Sequence, residues 1–222
     1  DHYEITAGLV ENNKPESNIW NGCMLHRTAR EVPDTARRDE YLEKGTRFLL
    51  NGISTPSDAD LEDIVSGRPV SDWHVGANMY DNMACNHHGY LNVGYMGICL
   101  SNIAMMHFSC VANGWDIPEG LYHHAKELWQ LVKTCTFDDG RLWRIGGATR
   151  VRYCYCQDYA IPMWLLARDL WGDDSVEQQE RGWLDILQRE ADHTEDDTFL
   201  SARLTSLEKV SPIYYVRLEG DR

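Results

Sequence analysis

Residues 82–115 read Asn82-Met83-Ala84-Cys85-Asn86-His87-His88-Gly89-Tyr90-Leu91-Asn92-Val93-Gly94-Tyr95-Met96-Gly97-Ile98-Cys99-Leu100-Ser101-Asn102-Ile103-Ala104-Met105-Met106-His107-Phe108-Ser109-Cys110-Val111-Ala112-Asn113-Gly114-Trp115, without one Asp, Glu, Lys or Arg. Elsewhere the chain is rich in such residues, which make up 25% of the whole. Charged side chains are rarely buried unless paired, so their absence over this length predicts an element deep in the fold. Tyr95–Ala112 reads as a buried core helix closed by Asn113-Gly114. Its amide- and imidazole-rich entry, from Asn82 to Tyr95, is costly to bury unsatisfied, which places a polar cleft at the helix mouth. Gly94, Gly97, Ser101, Asn102 and His107 interrupt the run, so no membrane span of about 20 predominantly apolar residues is expected.

Working outward, elements with segregated charge alternate with this uncharged one. Asp34 is placed to cap an amphipathic helix to about Leu50, with Tyr41, Leu42, Phe48 and Leu49 on one stripe. A polar, Pro-containing loop runs from Ser54 to about Ser71. Pro118 is placed to open a second amphipathic helix carrying Leu121, Leu128, Leu131 and Val132. Asp138-Asp139-Gly140 signals a turn, and Arg141–Gly147 a short extended segment. Tyr153–Leu170 reads as another apolar-rich helix with a kink at Pro162, and Gly172 to Ser175 stops it and starts a half-solvated helix to about Ala191.

Alternation of covered and half-solvated helices is the pattern of αα-hairpins in two layers. The expected fold is therefore all-α: an αα-hairpin (α/α) toroid or incomplete toroid with few short strands, as a single domain over residues 1–222. Its rival is an orthogonal bundle. The 222 residues suffice for one sizeable core.

A net charge of −14 argues against nucleic acid or an anionic membrane as partner. Seven cysteines in no small-scaffold spacing, with Cys99 and Cys110 inside the apolar run, read as reduced thiols of a cytoplasmic protein. Cys154 and Cys156 diverge on a helix and form no ligand pair. Asp1–Val10 shows no basic start and no apolar h-region. The opening residues and the strand-like Ile213–Val216 close to the end read as a piece of a longer protein.

Between Gly140 and Gln157 stand Arg141, Arg144, Arg150 and Arg152 with no acid, an island of positive charge suited to an anion. On a helix beginning near Arg152, that residue, Tyr155 and Tyr159 share a face, and a guanidinium beside a phenol favours phenolate.

Asn86-His87-His88-Gly89 before a buried helix, with an Arg/Tyr segment downstream, resembles the Asn-His-Gly and Arg/Tyr regions of heparinase II/III-like and alginate-lyase-like polysaccharide lyases. Asn18-Ile19-Trp20-Asn21 and Ala77-Asn78-Met79-Tyr80-Asp81 are similar to that toroid group as well, so the resemblance spans most of residues 18–172. It implies β-elimination on a uronic-acid-containing polysaccharide or oligosaccharide, with no cofactor and no metal. His88, Tyr155 and Tyr159 would then be catalytic, while Asn86, His87, Tyr90, Trp143, Arg150 and Arg152 would bind substrate. The chain departs from the motif at His87, where the family has Asn: either Asn86 supplies the amide or the carboxylate site is altered. The resemblance also implies a further C-terminal β-rich domain.

Three alternatives stand beside it. A six-hairpin glycoside hydrolase would use Trp73, Trp115 and Trp143 to stack sugars and needs two cleft carboxylates, for which Asp72, Asp81 and Asp158 are the candidates. A metal site could draw on His74, His87, His88 and Asp81. A non-catalytic carbohydrate-binding fragment needs neither.

Overall fold

The computed structural model describes residues 3–143, 157, 159–194 and 209–210. They form a mostly helical, all-α structure. Helix α1 spans Pro15–Glu31, with Pro15 at its first position, where a missing N–H costs nothing. Helix α2 spans Arg38–Leu50. It starts later than Asp34 predicts, because turns closed by Thr35 N→Val32 O and Arg38 N→Thr35 O carry the chain round first. The loop that follows holds a 3₁₀ turn, Pro56–Asp60, a small hairpin of β1 (Ile64–Val65) and β2 (Arg68–Pro69), and a single turn α3, Val70–Trp73.

The charge-free run contains two elements. A second hairpin pairs β3 (Asn86–His87) with β4 (Tyr90–Leu91) in antiparallel register, Asn86 opposite Leu91 and His87 opposite Tyr90. Helix α4 spans Val93–Asn113. The Asn92 side chain caps it by accepting from Tyr95 N at 3.2 Å, and Gly114 ends it in the left-handed region at φ 63°. By length and composition α4 does suffice to cross a membrane, contrary to the sequence reading. In this structure, however, 67% of its most apolar window is buried inside the fold.

Helix α5 spans Ala125–Thr134. The helix expected from Pro118 does not form there, because Gly120 (φ 78°) and His124 (φ 52°) are both left-handed and the chain turns instead. Helix α6 spans Ala160–Trp171. Pro162 produces no interior break, since it sits in the first turn, where its N–H would have no helical partner; residues 153–156 of the expected longer helix lie outside the described set. Gly172 ends α6 in the left-handed region, and α7 spans Val176–Ala191.

Helices α1, α4 and α6 pack in a row, α1 on α4 and α4 on α6. Each also packs on the helix that follows it: α2 on α1, α5 on α4, α7 on α6. Each helix of the row is thus paired with the next helix in the chain, and charge collects on the second helix of each pair. The core fills the seam between them with Met96, Leu100, Ile103, Leu128, Trp129, Met163 and Trp164.

Two features pin the row. Gly22 and Gly45 face each other where α1 crosses α2, with no room for a β-carbon on either: one on Gly22 would stand 2.8 Å from Leu49 Cδ2, and one on Gly45 2.8 Å from His26 Cδ2. His107, the imidazole inside α4, lies 2.9 Å through Nε2 from Asp169 on α6 and 2.6 Å through Nδ1 from the Tyr122 hydroxyl. With Nε2–H donating to the carboxylate, Nδ1 accepts from the phenol, so a buried polar group ties three segments together. Burial, followed by the nearby Cys110 and Asp169, pushes the Tyr122 phenol up to about 12.

Candidate active site

The polar entry of the charge-free run is built on the β3–β4 hairpin. His88 and Gly89 are its two turn residues, and both have positive φ, 62° and 84°. This is the type I′ geometry whose twist matches a two-residue hairpin, and Gly enters it without a steric penalty. The His-Gly of the motif therefore has a local conformational reason. His88 is exposed on the turn and His87 is buried behind it.

Three rings meet here. His87 and His88 lie with centroids 4.2 Å apart, His87 and Tyr95 4.3 Å apart, and His88 Nε2 stands 3.5 Å from the Tyr95 hydroxyl. Asn13, just ahead of α1, reaches the same hairpin. Its Nδ2 donates to the Asn86 carbonyl, and its Oδ1 lies 2.6 Å from His87 Nδ1. The first bond fixes which end of the amide is oxygen. An amide oxygen only accepts, so His87 carries its proton on Nδ1, and the lone pair of the neutral ring is on Nε2. Asn92 Nδ2 donates to the His87 carbonyl at 3.3 Å, holding the strand from the helix side.

Glu16 sits three residues beyond Asn13, in electrostatic contact with Cys85, the residue before Asn86. Burial raises its carboxyl above the usual range, only partly opposed by backbone bonds and by Ser17, which donates to Oε1 at 3.0 Å. Its Oε2 and the Asn86 Oδ1 are buried and have no hydrogen-bond partner among the described residues. Buried polar atoms are normally satisfied, so both are exceptions, and the Asn86 one belongs to the strand that carries His87.

Of the other residues predicted from sequence, Tyr90 lies half-buried on β4, opposite His87. Tyr159 is the residue before α6 and is half-buried. Trp143 packs on Phe137 at 6.1 Å, and its backbone N–H donates to the Cys135 carbonyl. Arg150, Arg152 and Tyr155 lie outside the described residues. Arg141, the one arginine of the island inside them, is paired with Asp139 at 2.9 Å.

The hydrolase alternative loses one sugar platform. Trp73 is buried, donates its indole N–H to the Val65 carbonyl and is covered by Arg68 at 4.7 Å, so it is a core residue. Asp81 is exposed and accepts from Ser57 Oγ at 3.2 Å. Asn18 and Asn78 of the resembling segments are structural as well: both donate to the Asn51 carbonyl and the Thr6 carbonyl, clamping the N-terminal segment onto α1 and α2.

Sequence reasoning missed Asn13, Glu16 and Tyr95, which have no motif of their own, and a second cluster around Asp58. His123 Nε2 and His124 Nε2 approach its two oxygens at 2.9 and 2.7 Å. Burial alone would raise the Asp58 carboxyl, but the bonds from His123 and His124 outweigh it and hold it well below the usual range. The signal was present as a second adjacent histidine pair, His123-His124, inside the segment expected to be helical from Pro118. Among the described residues, Asp58, His123 and His124 are the group whose ligand atoms stand close enough together for a metal ion; His74, His87, His88 and Asp81, the set of the sequence-based metal alternative, do not form such a group there.

No family model, curated protein or solved structure matches the chain.

Proposed function

We propose that this chain is the helical part of a polysaccharide lyase that cleaves a uronic-acid-containing polymer by β-elimination. The observation that carries the reading is the oriented His87 ring, whose Nε2 lone pair is defined by Asn13, packed against the Tyr95 phenol. β-Elimination needs a base to take the proton from C5 of the uronate and an acid to protonate the departing oxygen at C4. His87 Nε2 takes the proton, the C5 electron pair forms the C4=C5 double bond, the C4–O bond breaks, and a phenol gives its proton to the leaving oxygen. Tyr95, in contact with His88 Nε2, is the phenol in place among the described residues, and Tyr155 and Tyr159 are further candidates. The uronate carboxylate must be held by donors, a task for the Asn86 amide with Arg150 and Arg152. The hairpin row α1–α4–α6 supports the (α/α) toroid that the resemblance implies.

The shift of the base from His88 to His87 follows from burial and tautomer: His88 is on the exposed turn, whereas His87 has a fixed proton. Ultraviolet absorbance of the unsaturated uronate product, followed while full-length protein is offered a panel of uronate polymers, tests the proposal. One polymer giving a rise that His87→Ala abolishes supports it. Binding without any rise would reduce the protein to a carbohydrate-binding module.

A further inference from the structure

We propose that Asp58, His123 and His124 form a binding site for a divalent transition-metal ion of the zinc class, separate from the His87 cluster. Two imidazoles and one carboxylate are a donor set that zinc accepts, leaving an open position for another ligand or water. Each residue offers one ligand atom, and these atoms all lie within 4.8 Å of one another. Donors at about 2.0–2.2 Å from zinc stand roughly 3.3 Å apart in a tetrahedron, so the observed 2.7 and 2.9 Å separations need only a small opening.

The site is also built. Asp58 is 1% exposed, and its carboxylate is oriented by the Thr55 backbone N–H at 3.0 Å and the Thr55 hydroxyl at 3.3 Å. Ligand-orienting bonds of this kind are the usual outer support of a metal site. That Thr55–Asp58 capping box accounts for the carboxylate, yet it does not require two histidines on the other side. To deliver them from adjacent positions, His124 adopts φ 52°, a left-handed backbone that a non-glycine residue seldom takes. A third imidazole lies within electrostatic range: the charges of Asp58 and His123 both act on His74, whose Nδ1 is buried without a hydrogen-bond partner among the described residues.

When the ion binds, the protons now shared between the two Nε2 atoms and the carboxylate leave to solvent or move to Nδ1, and three protein–metal bonds replace two hydrogen bonds. The ion would join the Pro56–Asp60 turn to the turn before α5, segments some 65 residues apart in the chain, and so stabilise the fold by mass action.

Chelator-treated full-length protein titrated with cobalt(II), and separately with zinc(II) in a thermal-shift assay, tests the site. The expected results are a saturable visible cobalt spectrum, displaced by zinc, and a rise in Tm with zinc. His123→Gln, and His124→Asn, which tolerates the left-handed backbone, should each weaken cobalt binding at least tenfold while circular dichroism stays helical. His88→Ala should leave binding unchanged. Absence of a cobalt spectrum in the wild type overturns the proposal. So does a spectrum that survives in both His123→Gln and His124→Asn, or one lost in His88→Ala. Since none of these readouts depends on polymer cleavage, failure of the lyase reading leaves this test intact.

Discussion

Asn13 Oδ1 lies 2.6 Å from His87 Nδ1, joining the residue ahead of α1 to a strand 74 positions later. The bond selects one tautomer of a buried imidazole. Asn13→Leu removes both the acceptor and the donor to the Asn86 carbonyl, so the ring can reprotonate on Nε2 and lose its lone pair there. The expected outcome is a fall of about 10²–10⁴ in kcat with a smaller change in KM, the scale of a lost general base. Steady-state kinetics on the polymer identified by the ultraviolet assay measure it. An unchanged kcat would mean that His87 is not the base.

Gly22 and Gly45 set how closely α1 and α2 approach. Adding a methyl group to Gly45 would place it 2.8 Å from His26 Cδ2 and 3.3 Å from the Gly22 carbonyl, part of which is backbone and cannot yield. Gly45→Ala gains helix propensity of about 1 kcal/mol, but overpacking costs typically 1–3 kcal/mol. Net destabilisation is expected, read as a lower urea midpoint with an unchanged m-value. An exposed helical control, Glu43→Ala, should stay within about 0.5 kcal/mol of wild type.

Helix α4 and the layering of the helices were legible in the sequence because burial leaves a compositional trace: a covered helix can carry almost no charge. The end of α6 and the start of α7 were legible through Gly172 and Ser175. The start of α5 was not, because Pro118 is as good a turn residue as a helix opener, and the left-handed His124 has no sequence signature. The His87-His88-Gly89 stretch was singled out as chemistry, but half of its meaning is the hairpin turn, with His88 and Gly89 supplying the positive φ values. Asp58 looked like one of several acids in a polar loop. Only the tertiary fold brings His123 and His124 onto it, and pairing between residues so far apart in the chain leaves no local pattern.

His26 should make the fold acid-sensitive. Burial, reinforced by the Arg30 guanidinium beside it, lowers its imidazole to about 3 from an ordinary 6.5. The folded state therefore holds it neutral while the unfolded chain protonates it below 6.5. Its contribution to stability is fully present above 6.5 and is lost as pH falls toward 3, at a limiting slope of about 1.4 kcal/mol per pH unit. His26→Gln keeps a polar planar group against Thr46 and Gly45 without titrating. Denaturant midpoints measured across this window should show a shallower acid slope in the variant. Equal slopes would place the acid sensitivity elsewhere.

Glu16 works in the opposite direction. Burial raises its carboxyl above the ordinary 4.5, so the fold favours the protonated acid and is penalised when it ionises. The favourable contribution is present below 4.5 and is lost as pH rises through the folded value. Glu16→Gln, neutral and of the same shape, should therefore raise Tm at neutral pH, with a gain that shrinks toward zero below 4.5. Differential scanning calorimetry at the two pH values separates this from a general packing effect, which would shift Tm equally at both.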